Sequence, residues 1–164
     1  MSPKPLLIIG YGNPGRGDDG LGPECLHRLT ALQKLRPNWP ATEFIEDLQL
    51  NPEHAVDLLD RELILFIDAD VSCPPPFSFT RLQPVRDASY SSHVMSPAAV
   101  VHVYEEVYAR QAPPSFLLSV RGEDFELGAT MSASAEVNLA SACRFCAQLW
   151  DSGSLVAWEG LVTG

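Results

Sequence analysis

Two adjacent carboxylates, Asp18 and Asp19, stand inside a glycine-rich run that extends from Gly10 to Gly22 and also contains Gly12, Gly15, Gly17 and Gly20. Bare glycine backbone suits an anion, because unhindered N–H groups can line up on a phosphate. The paired acids oppose that use, since they would repel the phosphate. They suit a cation, or acid–base chemistry. Gly10 and Gly12 fit the start of the dinucleotide-binding fingerprint, but no acidic residue closes a second strand cleanly, and such a match alone is weak. Further along, Asp68 ends an apolar run, and His93 stands in a polar stretch with Ser89, Ser91 and Ser92. Two carboxylates and an imidazole suit a transition metal and leave coordination positions open for water or substrate. Each residue also has a plainer reading. Asp18 and Asp19 can be turn residues, Asp68 can cap the turn that follows it, and His93 can be an exposed loop histidine. His27, His54 and His102 lie in helical patterns and are assigned to the surface or to packing. There is neither a G-x-S-x-G nucleophile motif nor an H-E-x-x-H zinc motif.

The elements that must hold these residues follow from apolar spacing. Leu6 to Ile9 reads as a buried strand. Pro23 to about Leu35 reads as a helix, with Leu26, Leu29 and Leu32 in a row and Pro37 ending it. Glu43 to Leu48 forms a second strand. Asn51 and Pro52 open a short helix whose inward face is Ala55, Val56, Leu58 and Leu59. Leu63 to Ile67 is a continuous apolar run, as in a parallel sheet covered on both faces. Phe77 to Leu82 alternates and reads as a wetter strand in hairpin-like succession to the third. Ser96 and Pro97 cap a helix reaching Ala109. Phe116 to Val120 is the last strand, and Ser132 caps a helix to about Trp150. The tail after Gly153 has no clear period. The alternation predicts a single α/β domain over 1–164, a three-layer α/β/α sandwich on a twisted, mostly parallel, mixed five-stranded sheet. If the strands lie side by side, the loops bearing Asp18 and Asp19, Asp68 and His93 meet at one edge of it.

Composition narrows the partners. The chain has 164 residues, 46% apolar and 20% charged, with a net charge of −10. That charge speaks against nucleic-acid binding, which needs cationic surface. No apolar run is long enough to span a bilayer, and the N-terminus lacks a signal-peptide pattern. These features predict a cytoplasmic protein. Cys143 and Cys146 form an isolated C-x-x-C; a zinc site wants a second pair. With Cys25 and Cys73 they read as reduced, buried thiols.

Taken together, Gly10-x-Gly12-Asn13, Asp18-Asp19-Gly20-x-Gly22, Ile67-Asp68-Ala69 and Ser92-His93 resemble the maturation endopeptidases of nickel–iron hydrogenases. The similarity runs from Leu6 to about Leu149. It implies an α/β/α enzyme that removes the C-terminal extension of a hydrogenase large-subunit precursor once nickel has been inserted. It implies that Asp19, Asp68 and His93 contact the metal and carry the reaction. The nickel would be cargo of the precursor, with no metal held permanently by the enzyme. In the family the first acid is often glutamate, so the shorter Asp19 brings the cation nearer the loop. Glu46-Asp47-Leu48-Gln49-Leu50 replaces a turn of the Asp-Gly-Gly-Thr type, which bears on the choice of large subunit; an NAD-linked, bidirectional hydrogenase is the expected partner, and a monomer the expected state. Ile8 to Gly15 also looks like the opening of peptidyl-tRNA hydrolases. That likeness stops at Gly15, and an acidic chain suits tRNA poorly.

The resemblance leaves the attacking water open. It is either bound to the metal or activated by a carboxylate such as Asp18. A rival in another class is a nickel-sensing escort that holds the precursor without cutting it.

Overall fold

A computed structural model describes residues 2–85 and 95–163. Five strands form one sheet: β1 (Leu6–Tyr11), β2 (Thr42–Asp47), β3 (Leu63–Asp70), β4 (Phe77–Arg81) and β5 (Ser115–Arg121). Their spatial order is β2-β1-β3-β5-β4, with only β4 antiparallel to its neighbour. The helices are α1 (Leu21–Gln33), the single turn α2 (His54–Asp57), α3 (Pro97–Tyr108), α4 (Ala133–Ser152) and α5 (Leu155–Gly160).

Alternation along β1 divides the interior into two layers. Leu6 and Ile8 face α1 and α4, while Leu7 and Ile9 face α2 and α3. Both faces are covered, which is why Leu6–Ile9 of β1 and Leu63–Ile67 of β3 are apolar without a break. The expected three layers are therefore present, with α1, α4 and α5 on one side and α2 and α3 on the other. Serines start three of the helices: the Oγ atoms of Ser96, Ser132 and Ser154 accept the N–H groups of Ala99, Ala135 and Ala157. Each satisfies a backbone donor that the first helical turn leaves free.

Several expectations change. The fourth strand makes no hairpin with the third; β4 pairs with β5, at the sheet edge. The edge position suits its alternation, because Phe79 is fully buried against Phe116, Phe145 and Trp158 while Ser78 and Thr80 are half-exposed. Phe77 packs on Phe145 from the same face, so both aromatic residues of β4 pack into the core. The tail is a helix, and its Trp158 is 1% exposed. Thr163 then bonds both backbone groups of Phe79 and covers part of the β4 edge, where open backbone groups otherwise invite pairing. The Asn51-Pro52 start yields one turn beginning at His54, and Val56 faces solvent. Helix α1 starts two residues before Pro23. Strand β3 runs past Ile67, so Asp68 lies inside a strand and not in the turn after it.

All four cysteines are buried and free, and the Sγ atoms of Cys25 and Cys143 lie 3.8 Å apart between α1 and α4. No helix among the described residues is long and apolar enough to cross a membrane.

Candidate functional site

The carboxyl ends of β1 and β3 form the site, because these two strands lie side by side with Gly10 opposite Ile67. The next residues of each strand, Tyr11 and Asp68, meet through a hydrogen bond: the Tyr11 hydroxyl donates to Asp68 Oδ2 at 2.6 Å. A distance this short is usual for a hydroxyl on an ionised carboxylate.

The glycine loop brings Asp19 to the same corner. Gly12 has φ +142, and a Cβ there would stand 2.0 Å from the Asp19 carbonyl oxygen. Only a residue without a side chain lets the loop fold back so tightly. Gly22 serves packing in the same way: a Cβ there would meet the carbonyl oxygens of Tyr11 and Ile67 at 2.5 and 2.6 Å. The glycines thus seat the start of α1 against the strand ends. Asn13 completes the turn, its Oδ1 accepting the Gly15 N–H at 2.9 Å. Its own N–H donates to Asp19 Oδ2 at 2.8 Å. Each acid therefore has its Oδ2 held by a neighbour, and among the described residues no hydrogen bond engages Oδ1 of either.

Electrostatics separates the acids. Burial raises the Asp68 pKa to about 6; the Tyr11 hydrogen bond opposes the rise, and the charges of Asp70 and Asp19 add to it. The Tyr11 hydroxyl is pushed well above its ordinary value, by burial first and then by Asp68. Asp70 goes the other way. Burial opposes its ionisation, but the Ser72 N–H and Oγ, each 2.8 Å from Oδ1, hold it below the usual range.

Asp18 has a different task from the one left open for it. Its carboxylate is 0% exposed and accepts four hydrogen bonds, from the N–H groups of Glu123, Asp124 and Ser132 and from Ser132 Oγ, at 2.7 to 3.0 Å. Burial raises its pKa, and these donors more than offset that and lower it. A carboxylate that is 0% exposed and holds four donors meets no bulk water to activate. Asp18 ties the glycine loop to the segment between β5 and α4, and catalysis by it is not what this geometry offers.

His93 lies outside the described residues. Asp19 and Asp68 are thus the two proposed metal contacts that can be placed, and the charge of Asp19 bears on Asp68. Among the described residues no group of three His, Cys, Asp or Glu side chains is arranged to hold a metal ion. His54 is buried, with Nδ1 accepting the Asn51 N–H and Nε2 3.3 Å from Asp47 Oδ2. Both ring nitrogens are committed, so it packs, as the helical pattern implies. Sequence reasoning missed Tyr11. Its place between Gly10 and Gly12 marks it only as part of the loop, and no local signal points to a partner 57 positions away.

The arrangement can present two carboxylate oxygens to one cation at the rim of the sheet. Open α/β sheets bind ligands at the carboxyl ends of their strands, and this corner lies there. No family model matches the chain, and no curated protein matches it significantly. Solved structures do. The chain is similar to the NiFe hydrogenase maturation protease HycI from Thermococcus kodakarensis KOD1, at 17% identity and a TM-score of 0.66, over 90% of this chain and 93% of that one. It is similar to the hydrogenase maturating endopeptidase HybD from E. coli, at 21% identity and a TM-score of 0.67, over 93% and 94%. A hydrogenase 2 maturation peptidase from a Thaumarchaeota archaeon gives 21% identity and a TM-score of 0.62, over 92% and 99%. Across nearly its whole length, the chain has the fold of the hydrogenase maturation proteases.

Proposed function

We propose that the protein is an endopeptidase that removes the C-terminal extension of a nickel-loaded NiFe-hydrogenase large-subunit precursor. The observation that supports this reading is the corner that carries Asp19 and Asp68, at the carboxyl edge of a sheet whose fold is that of the maturation proteases. The free oxygens of the two acids, with His93, take the nickel that the precursor already holds. Nickel is part of the substrate here and not a resident cofactor. Its capture fixes the end of the precursor against the strand ends. A bond held in this way reacts as if at very high local concentration. The bare backbone of the glycine loop lets an extended segment approach closely. Requiring two acids and an imidazole on one ion makes cleavage conditional on nickel insertion.

The test compares nickel-loaded and nickel-free precursor, with the product read by mass spectrometry. The nickel-loaded chain is expected to lose its C-terminal residues, and the nickel-free chain to stay intact. Equal cleavage of both rules out nickel sensing. A nickel-loaded chain that binds the protein and is never shortened identifies an escort. Replacing His93 with Ala is expected to abolish cleavage; if it does not, the three-residue site is wrong.

A further inference from the structure

We infer that Tyr11 is a positioning residue: its hydroxyl locks the Asp68 carboxylate so that one oxygen, Oδ1, is aimed at the incoming cation. The inference rests on the cation corner of the proposed function and adds to it a residue that no motif assigns.

The terminal torsion of an aspartate is broad, so an unpartnered carboxylate samples many orientations. Asp68 is not left to do so. The backbone carrying it belongs to β3, which pairs with β5 at this position, Asp68 opposite Ser119. The Tyr11 ring comes from the neighbouring β1, and its hydroxyl is fixed on Oδ2 at 2.6 Å. Asp19 receives the equivalent treatment from the Asn13 N–H, again on Oδ2. Two differently built contacts therefore reach one result: among the described residues, each acid has Oδ2 held and no hydrogen bond on Oδ1. That arrangement suits a compact transition-metal ion with few protein ligands. It suits Ca2+ less, because Ca2+ gathers six to eight oxygens and readily takes carboxylates bidentately. Outer partners of metal-binding groups typically matter about 10- to 100-fold in metal affinity, so the effect of losing this hydroxyl is measurable.

The experiment titrates the full-length protein with Ni2+ alone and follows paramagnetic broadening of backbone amide signals, which detects binding even in the millimolar range. Wild-type protein is expected to broaden at 11–19 and 68–70. Tyr11→Phe, which keeps the ring and removes only the hydroxyl, is expected to need about tenfold more Ni2+ and to lose part of its preference for Ni2+ over Ca2+. Tyr11→Leu is expected to match Tyr11→Phe, because the hydroxyl and not the ring acts on Asp68. If Tyr11→Phe titrates like wild type while Asp68→Asn loses the broadening, the role of Tyr11 is overturned and the cation corner stands. If Tyr11→Leu alone is impaired, the role is packing and the inference is again wrong. If wild type shows no broadening at these residues, the cation corner fails and the inference fails with it.

Discussion

Asp18 and Asp68 are both carboxylates withdrawn from solvent, and their surroundings drive them in opposite directions. Around Asp18 stand four donors, three of them backbone N–H groups. Around Asp68 stand one hydroxyl and two like charges. Donors stabilise the ionised form, whereas burial and neighbouring carboxylates destabilise it. The first acid is therefore held charged and used up in structure. The second sits at about 6, with an oxygen to spare. A buried acid is available for chemistry to the extent that its surroundings leave it unsatisfied.

The most severe test of the contrast is Asp18→Asn. The new amide turns a donor group toward N–H groups that need acceptors, and the expected loss is about 3 kcal/mol, read as a lower urea midpoint. The pH dependence has a definite sign. A carboxyl whose folded pKa is lowered contributes stability above its unfolded value, and that contribution is lost as pH falls through the folded pKa. The gap between wild type and Asp18→Asn should then be full at neutral pH and close in acid below the usual carboxylate range. A gap that does not change with pH would mean that the charge of Asp18 is not what holds the loop.

Ser132→Ala sharpens the same side. It removes one of the four donors to Asp18 and also the cap on Ala135. A loss of about 1.5 kcal/mol is expected in the same denaturation measurement, with most of it restored in Ser132→Thr. The smallest change is on the other side. Burial makes the ionised Asp68 unfavourable, a penalty that grows as pH rises from the ordinary carboxylate value to about 6. Asp68→Asn keeps an acceptor for Tyr11 and removes the charge. It should raise stability at neutral pH by about 1 kcal/mol, even as it removes a proposed nickel contact. Destabilisation of the same size would show that Asp68 is structural, as Asp18 is, and would remove the contrast.

What was legible in the sequence follows the range of the interactions. Leu6 to Ile9 and Leu63 to Ile67 read as buried strands because their neighbours on both faces leave no polar position. Ser96 and Ser132 read as helix starts because a cap bonds three residues ahead. The pairing of β4 with β5 was not legible, since β4 follows β3 in the chain and the choice is made by aromatic packing against Phe116 and Trp158. At the candidate site, Asp19 and Asp68 could be singled out because each sits in a short motif that resembles the maturation endopeptidases. Tyr11 and the task of Asp18 could not. Their partners lie 57 and more than 100 positions away, where no local spacing reports them.

The bonds to Asp18 also bear on the order in which the protein can become competent during synthesis. The glycine loop leaves the ribosome well before the residues at 123–132 whose donors hold it. Until strand β5 and the start of α4 have emerged, Asp18 has nothing to bond and the loop bearing Asp19 is not held in place. A chain that stops short of residue 123 cannot present the finished corner. This part of the site is thus kept idle until the segment that holds it has been made.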